Sequence, residues 1–289
     1  MTLYEVYKDS LKRLQNPDTD EISVRILLCH NNGIKSMSGF YIHKNENIKD
    51  LQGFLRQFER FLNGEPIQYI LGETEFLGLD FYVDNRVLIP RQETEEVVTQ
   101  AYLRALQEFG DNVINVADIC CGSGVMGITL AKKLKVRYLF MSDLSEDAIT
   151  VAKENAKRND VVANFFIGDA CDELVKAGAK VDLLVANPPY ILNKSDVSES
   201  VLNYEPHLAL FADEELSVYK HIFQALPKIK NKKLLCAYGL DIGSSDFNNF
   251  AIWLSIDCFL SYGTTEIDRF LCKLSFEKCI DIYTHVCFG

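Results

Sequence analysis

Apolar residues recur every three or four positions through the N-terminal quarter of the chain. This spacing is typical of amphipathic helices and predicts helices over residues 3–14, 22–29 and 48–62. Asn31-Asn32-Gly33 ends the second segment, as Asn and Gly commonly do at the ends of helices. The pattern therefore predicts a small helical domain over residues 1–72.

The apolar pattern changes at residue 73. Apolar residues alternate with other residues over short stretches on both sides of Gly78. This pattern predicts a hairpin that links two domains across residues 73–92. Over residues 93–289 helical and strand patterns alternate. Helices are predicted at 93–109, 127–134 and 148–158, and strands at 113–119, 138–142, 164–167, 181–186 and 234–238. Such alternation is typical of an α/β domain in which helices cover both faces of a parallel sheet.

Composition narrows the functional classes. No apolar run reaches the about 18–20 residues that span a bilayer, and charged residues interrupt the N-terminal segment, so we expect a cytoplasmic protein without a membrane segment. The net charge of −11 disfavours direct binding of nucleic acid and favours a small-molecule or protein substrate. The nine cysteines include no C-x-x-C pair and no cluster of Cys and His with the spacing of metal ligands. We therefore expect reduced thiols and no metal site.

A glycine-containing turn marks the first candidate site. Ligands of doubly wound sheets bind at the carboxyl ends of the strands, near the point where the strand order reverses. Here the first predicted strand of the sheet runs into Asp118, Ile119, Cys120, Cys121, Gly122, Ser123 and Gly124, and a helix follows. Glycines in such a turn let the backbone approach a ligand closely. A tight turn without a ligand is the structural alternative.

Acidic residues end the next two predicted strands. Asp143 lies about 20 residues after the glycine turn, where a carboxylate can accept both hydroxyls of a ribose. The alternative for Asp143 is a helix N-cap, a position that Ser145 or Asp147 could take instead. Gly168-Asp169 ends the third strand, where an adenine amino group would lie within reach. Three ligand-type turns on successive strands predict a nucleoside site.

Two cofactors contain a suitable nucleoside, a dinucleotide and S-adenosylmethionine. A dinucleotide needs the G-x-G-x-x-G turn for its diphosphate, and Cys120 occupies the first glycine position of that pattern. S-adenosylmethionine carries no phosphate and requires a less close approach of the backbone. The sequence therefore favours S-adenosylmethionine.

A stiff loop after the strand predicted at 181–186 marks the second candidate site, and its residues are Asn187, Pro188, Pro189 and Tyr190. The prolines fix φ and remove N–H donors. The Asn187 side-chain oxygen and the Pro188 carbonyl can accept both hydrogens of a planar nitrogen, and Tyr190 can stack beside it. Because positioning the nitrogen toward a methyl donor lowers the barrier, Asn187, Pro188 and Tyr190 are the candidate catalytic residues. A rigid connecting loop is the structural alternative.

Three motifs give the chain a family resemblance. They are residues 64–72 (GEPIQYILG), residues 87–95 (VLIPRQETE) and the loop at 187–190. With Tyr204-Glu205-Pro206 behind that loop, the chain resembles the glutamine N5-methyltransferases of peptide chain release factors over nearly its whole length. The first two motifs are specific to this family, whereas the loop also occurs in adenine and cytosine amino-methyltransferases.

The resemblance implies a helical domain that docks the release factor, a linking hairpin and a Rossmann-like S-adenosylmethionine-dependent methyltransferase domain. The substrate would be the glutamine of a Gly-Gly-Gln loop. The implied cofactor residues are Asp118, Cys120, Cys121, Gly122, Ser123, Gly124, Asp143, Asp169, Ala170 and Asn187, and the implied substrate residues are Arg91, Glu95, Asn187, Pro188, Pro189 and Tyr190. The alternative for Arg91 and Glu95 is an ion pair that ties the hairpin to the next helix.

The resemblance is weaker at Ala170, which replaces a larger residue, and in the C-terminal part. Asp241-Ile242-Gly243 resembles the expected Glu-x-Gly without the Gln that follows it, and Asp268-Arg269 matches a late motif. Two other functions stay open, an N6-adenine methyltransferase acting on RNA or DNA and a non-catalytic adaptor that binds release factor. We expect a monomer.

Overall fold

The computed structural model describes residues 1–14, 16–213, 217–238 and 252–255. The motifs at Asp241-Ile242-Gly243 and Asp268-Arg269 lie outside the described residues.

Five helices form the N-terminal part: α1 (Leu3–Leu11), α2 (Pro17–Asn32), α3 (Met37–His43), α4 (Leu51–Leu62) and α5 (Ile67–Leu71). Leu27, Phe40, Phe54 and Phe58 are fully or almost fully buried in their shared core. Sequence periodicity predicted α1, α2 and α4. It missed α3 and α5 because one or two helical turns contain too few apolar repeats to establish a period.

A two-stranded hairpin follows, formed by β1 (Glu73–Phe76) and β2 (Leu79–Tyr82). Both residues of its turn have positive φ, 48° at Leu77 and 81° at Gly78, as tight hairpin turns between right-twisted strands require. The hairpin predicted within residues 73–92 is therefore present, with its paired strands over residues 73–82. Asn155 fastens it to the α/β part, because its side chain accepts from the Tyr82 N–H at 2.6 Å and donates to the Tyr82 carbonyl at 2.9 Å.

The remaining described chain alternates helices and strands. The helices are α6 (Gln92–Phe109), α7 (Val125–Lys133), α8 (Glu146–Arg158), α9 (Asp172–Lys176), α10 (Glu199–Tyr204), α11 (His207–Leu210) and α12 (Ser217–Ile229). The strands are β3 (Ile114–Ile119), β4 (Val136–Asp143), β5 (Asn164–Ile167), β6 (Val181–Ala186), β7 (Lys230–Tyr238) and β8 (Ile252–Ser255). A short 3₁₀ turn covers Lys194–Asp196.

The strands form one sheet in the order β5-β4-β3-β6-β7-β8, parallel except for β8. Alternate residues of β6 enter separate hydrophobic clusters: Leu183 and Val185 pack with α6, α7 and α8, whereas Leu184 and Ala186 pack with α9 and α12. Both faces are thus covered, which explains why all six residues of β6 are buried. The predicted α/β class is confirmed.

The strand order reverses between β3 and β6. From β3 the chain moves outward through β4 to β5, and it then returns to place β6 on the other side of β3. Ile119 at the end of β3 pairs with Ala186 at the end of β6. The two turns that follow these residues therefore start side by side.

Asp118 joins β3 to α7 in the interior. Its side chain is fully buried, and one carboxyl oxygen accepts from the Gly127 N–H at 2.8 Å. A Cβ on Gly127 would lie 2.8 Å from the Asp118 Cβ, so only glycine permits this approach. The other oxygen has no hydrogen-bond partner among the described residues. Burial raises the pKa of Asp118 to about 8 and nearby Asp143 adds to the rise, while the Gly127 N–H opposes it.

We expect Asp118→Asn to change the pH dependence of stability. Because the pKa of Asp118 is higher in the folded chain than the about 3.9 of an unfolded one, the folded state favours its proton. That stabilisation is complete below about pH 4 and is lost as the pH rises toward about 8. The free energy of unfolding of the wild type should therefore fall relative to Asp118→Asn across this range, by a few kcal/mol at about 1.4 kcal/mol per unit of pKa.

Urea unfolding at a series of pH values measures this difference. Asp147→Asn removes an exposed acid of α8 and is the matched control, for which we expect a difference that varies little with pH. A difference between the wild type and Asp118→Asn that is constant from about pH 5 to about pH 9 would show that Asp118 is ionised throughout.

Candidate active site

The turn after β3 approaches the sheet very closely. Cys120, Gly122 and Gly124 all have positive φ, at 56°, 53° and 83°. Gly124 caps the N-terminus of α7, and a Cβ there would lie 2.7 Å from the terminal methyl of Met141. A Cβ on Gly122 would meet nothing within 4 Å, so this residue faces open space. The turn therefore has a packed side and an open side on which a ligand could approach the backbone.

The side chains of the turn divide in the same way. Cys121 is buried in the core cluster of α6, α7 and α8, and Ser123 is also buried, with its carbonyl accepting from Asn155 at 2.8 Å. Cys120 is partly exposed and packs against the opposite cluster. Among these residues, Cys120 and Gly122 are the two that reach the surface of the turn.

Asp143 ends β4 beside this turn. One carboxyl oxygen accepts from the Gly122 N–H at 2.8 Å and the other from the Ser145 N–H at 2.9 Å. The N-cap of α8 is Ser145, whose hydroxyl accepts from the Ala148 N–H, so Asp143 is not the capping residue. Burial raises the pKa of Asp143 and these backbone N–H groups oppose the rise. Each oxygen keeps acceptor capacity for a further hydrogen bond.

Asp169 follows β5 at the same edge of the sheet. Its carboxylate lies 2.8 Å from Nδ1 of His221 on α12, and both side chains are about half exposed. Ala170 is buried with φ 44°, and its carbonyl accepts from the Ser142 hydroxyl at 2.8 Å. The Ala170 methyl therefore packs in the core below Asp169. Sequence analysis did not identify His221, since a histidine in the middle of a helix carries no local signal of its partner.

The acidic groups converge on Cys120. Burial raises the pKa of the Cys120 thiol first, and Asp143, Asp118 and Asp169 raise it further, which places all three carboxyl groups within electrostatic reach of this residue. Such surroundings disfavour a diphosphate and favour a cationic group near the turn. A sulfonium is such a group.

The proline-containing loop begins one strand away. Pro188 is buried, while Asn187, Pro189 and Tyr190 are partly exposed. The Pro188 carbonyl accepts from the hydroxyl of buried Tyr219 on α12 at 3.4 Å. Burial raises the pKa of Tyr219, and Cys120 and Tyr190 raise it further, so Tyr219 lies near both the glycine turn and the loop and stays a neutral donor. Sequence analysis also missed Tyr219.

Arg91 and Glu95 lie on the hairpin side of the site and do not pair with each other. Arg91 forms an ion pair at 2.5 Å with Glu205, and the Glu95 carboxylate accepts from the Leu77 N–H at 3.0 Å. The hairpin is thus tied to α6 through Glu95 and the Leu77 backbone. Arg91 remains 36% exposed at its side chain and can still contact a bound molecule.

The described part of the chain contains no helix that is both long enough and apolar enough to cross a membrane.

Two family models match the chain. One, described as the PrmC N-terminal domain, matches residues 5–72, and the other, described as the methyltransferase small domain, matches residues 95–207. The boundary between the matches falls at the hairpin and the segment that follows it.

Curated relatives agree with both matches. The chain is 36% identical over 251 residues to a release factor glutamine methyltransferase of Bacillus cereus, covering 85% of this chain and 88% of the relative. It is 32% identical over 243 residues to that of Bacillus subtilis, covering 82% and 84%, and 36% identical over 262 residues to that of Chlorobaculum tepidum, covering 87% and 89%. The chain therefore belongs to the family of release factor glutamine methyltransferases and is an S-adenosylmethionine-dependent methyltransferase.

Proposed function

We propose that the chain transfers a methyl group from S-adenosylmethionine to the side-chain amide nitrogen of the glutamine in the Gly-Gly-Gln loop of peptide chain release factors. The observation that carries this proposal is the adjacency of the glycine turn and the Asn187–Tyr190 loop, which start from paired residues of β3 and β6. A cofactor on the first and an amide on the second would lie next to each other.

The residues of the first turn fit the cofactor. The proposed contacts are the backbone of Cys120 and Gly122 for the methionine part, Asp143 for the ribose and Asp169 for the adenine. Gly122 faces open space and Asp143 keeps free acceptor capacity, which supports these roles. Asp118, Cys121, Ser123, Gly124 and Ala170 are buried or packed inward and would shape the site from beneath. Asn187 would contribute from the neighbouring turn.

The residues of the Asn187–Tyr190 loop fit an amide acceptor. When bound, S-adenosylmethionine supplies an electrophilic methyl group on a sulfonium. The Asn187 side-chain oxygen and the Pro188 carbonyl would accept the two amide hydrogens and aim the nitrogen, and Tyr190 would pack on the amide plane. The Pro188 carbonyl already accepts from Tyr219, and its second lone pair leaves room for the amide. Both acceptors bind the nitrogen more strongly as it becomes positive, which lowers the barrier.

The rest of the chain would present the release factor. We propose residues 1–72 as the docking domain, 73–92 as the linking hairpin and 93–289 as the catalytic domain, with Arg91 and Glu95 at the substrate entrance. The exposed part of Arg91 supports this place. We also propose that the protein acts as a cytoplasmic monomer. We further propose that it makes no direct contact with nucleic acid, and its net charge of −11 supports this last point.

We expect the purified chain to methylate a release factor at a single glutamine. Mass spectrometry after incubation with S-adenosylmethionine should show a mass increase of one methyl for one hydrogen, confined to the Gly-Gly-Gln peptide. A release factor with that glutamine replaced by asparagine is the control and should gain no mass. Transfer to RNA or DNA alone would favour the adenine methyltransferase, and absence of cofactor binding at millimolar S-adenosylmethionine would favour the adaptor.

We expect Asn187→Ala to lower kcat by about 100- to 1,000-fold, because one of two transition-state acceptors is lost. The dissociation constant of S-adenosylmethionine, measured by calorimetry, should change less than about threefold if Asn187 serves mainly the acceptor. Asn193→Ala removes an exposed asparagine of the same segment and is the matched control. Near-normal methylation by Asn187→Ala would show that the acceptor pair is assigned wrongly.

We expect Asp143→Ala to weaken the binding of S-adenosylmethionine by about 10- to 100-fold, because hydrogen bonds to a carboxylate are worth about 1.5–3 kcal/mol. Calorimetric titration measures this constant. Asp147→Ala removes an exposed acid in the first turn of α8 and should leave the affinity unchanged. Equal affinities for the Asp143→Ala variant and the wild type would place the ribose elsewhere.

A further inference from the structure

Residues 198–212, here called the connecting segment, reach from the Asn187–Tyr190 loop, here called the acceptor loop, to the helical domain. The segment contains α10 and α11. At its start, the Ser200 hydroxyl donates to the Gly64 carbonyl at 2.7 Å and the Tyr204 hydroxyl to the Asn63 carbonyl at 2.9 Å. Asn63 and Gly64 form the turn between α4 and α5, so this end of the segment is held by the helical domain.

The other end of the connecting segment is held by the acceptor loop. The Ile191 N–H, directly after Tyr190, donates to the Leu210 carbonyl at 3.1 Å. The Ala212 N–H donates back to the Ile191 carbonyl at 3.0 Å. This pairing makes a parallel bridge between Ile191 and Phe211, so a shift of residues 210–212 would carry the end of the acceptor loop with it.

Glu205 anchors the middle of the connecting segment. Its side chain is 1% exposed, and its two oxygens take different donors, the Arg91 guanidinium at 2.5 Å and the Ile89 N–H at 3.1 Å. Tyr69 of α5 lies close by: it shares a buried cluster with Val87 and Ile89, against which Tyr204 also packs, and its hydroxyl donates to the Val87 carbonyl at 2.5 Å. The helical domain, residues 87–91 and the connecting segment therefore meet at one buried carboxylate.

We propose that Glu205 is a positioning residue for methyl transfer, which sets the place of the acceptor loop relative to the helical domain. This inference rests on the proposed function. The carboxylate fixes residues 87–91 and the connecting segment together, and the bridge at Ile191 passes that position to the loop that holds the amide. Charge-assisted hydrogen bonds to a buried carboxylate are strong and directional, so this junction has one preferred geometry.

A positioning role and a general structural role differ in what they change. The cofactor contacts proposed above lie on turns after β3, β4 and β5, whereas the carboxylate of Glu205 binds Ile89 and Arg91, which lie outside those turns. Loss of positioning should therefore lower kcat and leave the affinity for S-adenosylmethionine intact. A general loss of structure should weaken cofactor binding and thermal stability together with activity.

The test compares Glu205→Gln with the wild type in the full chain, with intact release factor as substrate. Glu205→Gln keeps the size but presents an amide N–H₂ to one of the two donors. We expect kcat to fall by about 10- to 100-fold, since small displacements of a reacting group have effects of this size. The dissociation constant of S-adenosylmethionine should stay within about twofold. Glu199→Gln removes an exposed carboxylate of α10 by the same change and should behave as the wild type.

Hydrogen exchange gives a second readout that does not depend on catalysis. We expect the Ile191 and Ala212 amides to exchange faster in Glu205→Gln, while the Gly127 amide, bound to Asp118, keeps its wild-type rate. If the wild type transfers no methyl group to release factor, the proposed function fails, and the exchange rates still decide whether Glu205 holds the loop.

Two results would overturn the inference: a kcat within about twofold of the wild type with unchanged exchange at Ile191 and Ala212, or a loss of cofactor affinity that equals the loss of activity. Should Glu205→Gln fail to fold, Arg91→Lys makes a milder change at the same junction, keeping the charge but not the guanidinium geometry. Arg91→Lys should lower kcat by less than Glu205→Gln does, and the Ile191 and Ala212 amides should again exchange faster. Wild-type values of kcat and of these exchange rates would reject the positioning role.

Discussion

The reversal of strand order between β3 and β6 is the constraint on which the site depends. All parallel strands end at the same edge of the sheet, and where neighbouring strands lead in different directions the turns that follow them leave a crevice between them for a ligand. The glycine turn follows Ile119 and the Asn187–Tyr190 loop follows Ala186. Ile119 and Ala186 are paired in the sheet. Two segments almost 70 residues apart in sequence thereby become neighbours.

The electrostatics of the site follow from the same edge of the sheet. Three acidic residues lie at or next to the ends of β3, β4 and β5, and all three raise the pKa of the Cys120 thiol. Ionising all three in so small a volume would be costly. Asp118, the deepest, has a pKa of about 8 and carries its proton in most molecules at neutral pH. Asp143 and Asp169 are partly exposed and therefore lie nearer the surface than Asp118.

The sequence predicted those features that short-range patterns encode. The strands at 164–167 and 181–186 have the predicted bounds, and each contains a short run of apolar residues, Phe165–Ile167 and Leu183–Ala186. The glycine turn, Asp143 and the proline loop were found because each follows a strand directly. The positive φ of Cys120 and Ala170 could not be predicted, since neither is glycine and only the surrounding packing imposes that conformation.

The partners of the site residues were beyond sequence reasoning for a different reason. Tyr219, His221 and Glu205 lie 31, 52 and 114 residues from Pro188, Asp169 and Arg91, and no periodicity connects residues across such distances. These pairings appear only once the sheet has fixed where α12 and the connecting segment lie, although Glu205 itself belongs to a motif of the family resemblance. Each of them supports a residue that sequence analysis did find.

The two halves of the site are held in different ways, and this difference has a consequence for catalysis. The glycine turn is fixed by its own backbone, through Asp143, Gly122 and the packing of Gly124, all within the α/β part. The acceptor loop is stiff internally because of its prolines, but its far end takes its position from the connecting segment and thus from the helical domain. Such an enzyme keeps its glycine turn in place through contacts within the α/β part. It can align an amide only when the helical domain, and whatever is docked on it, holds the connecting segment in place.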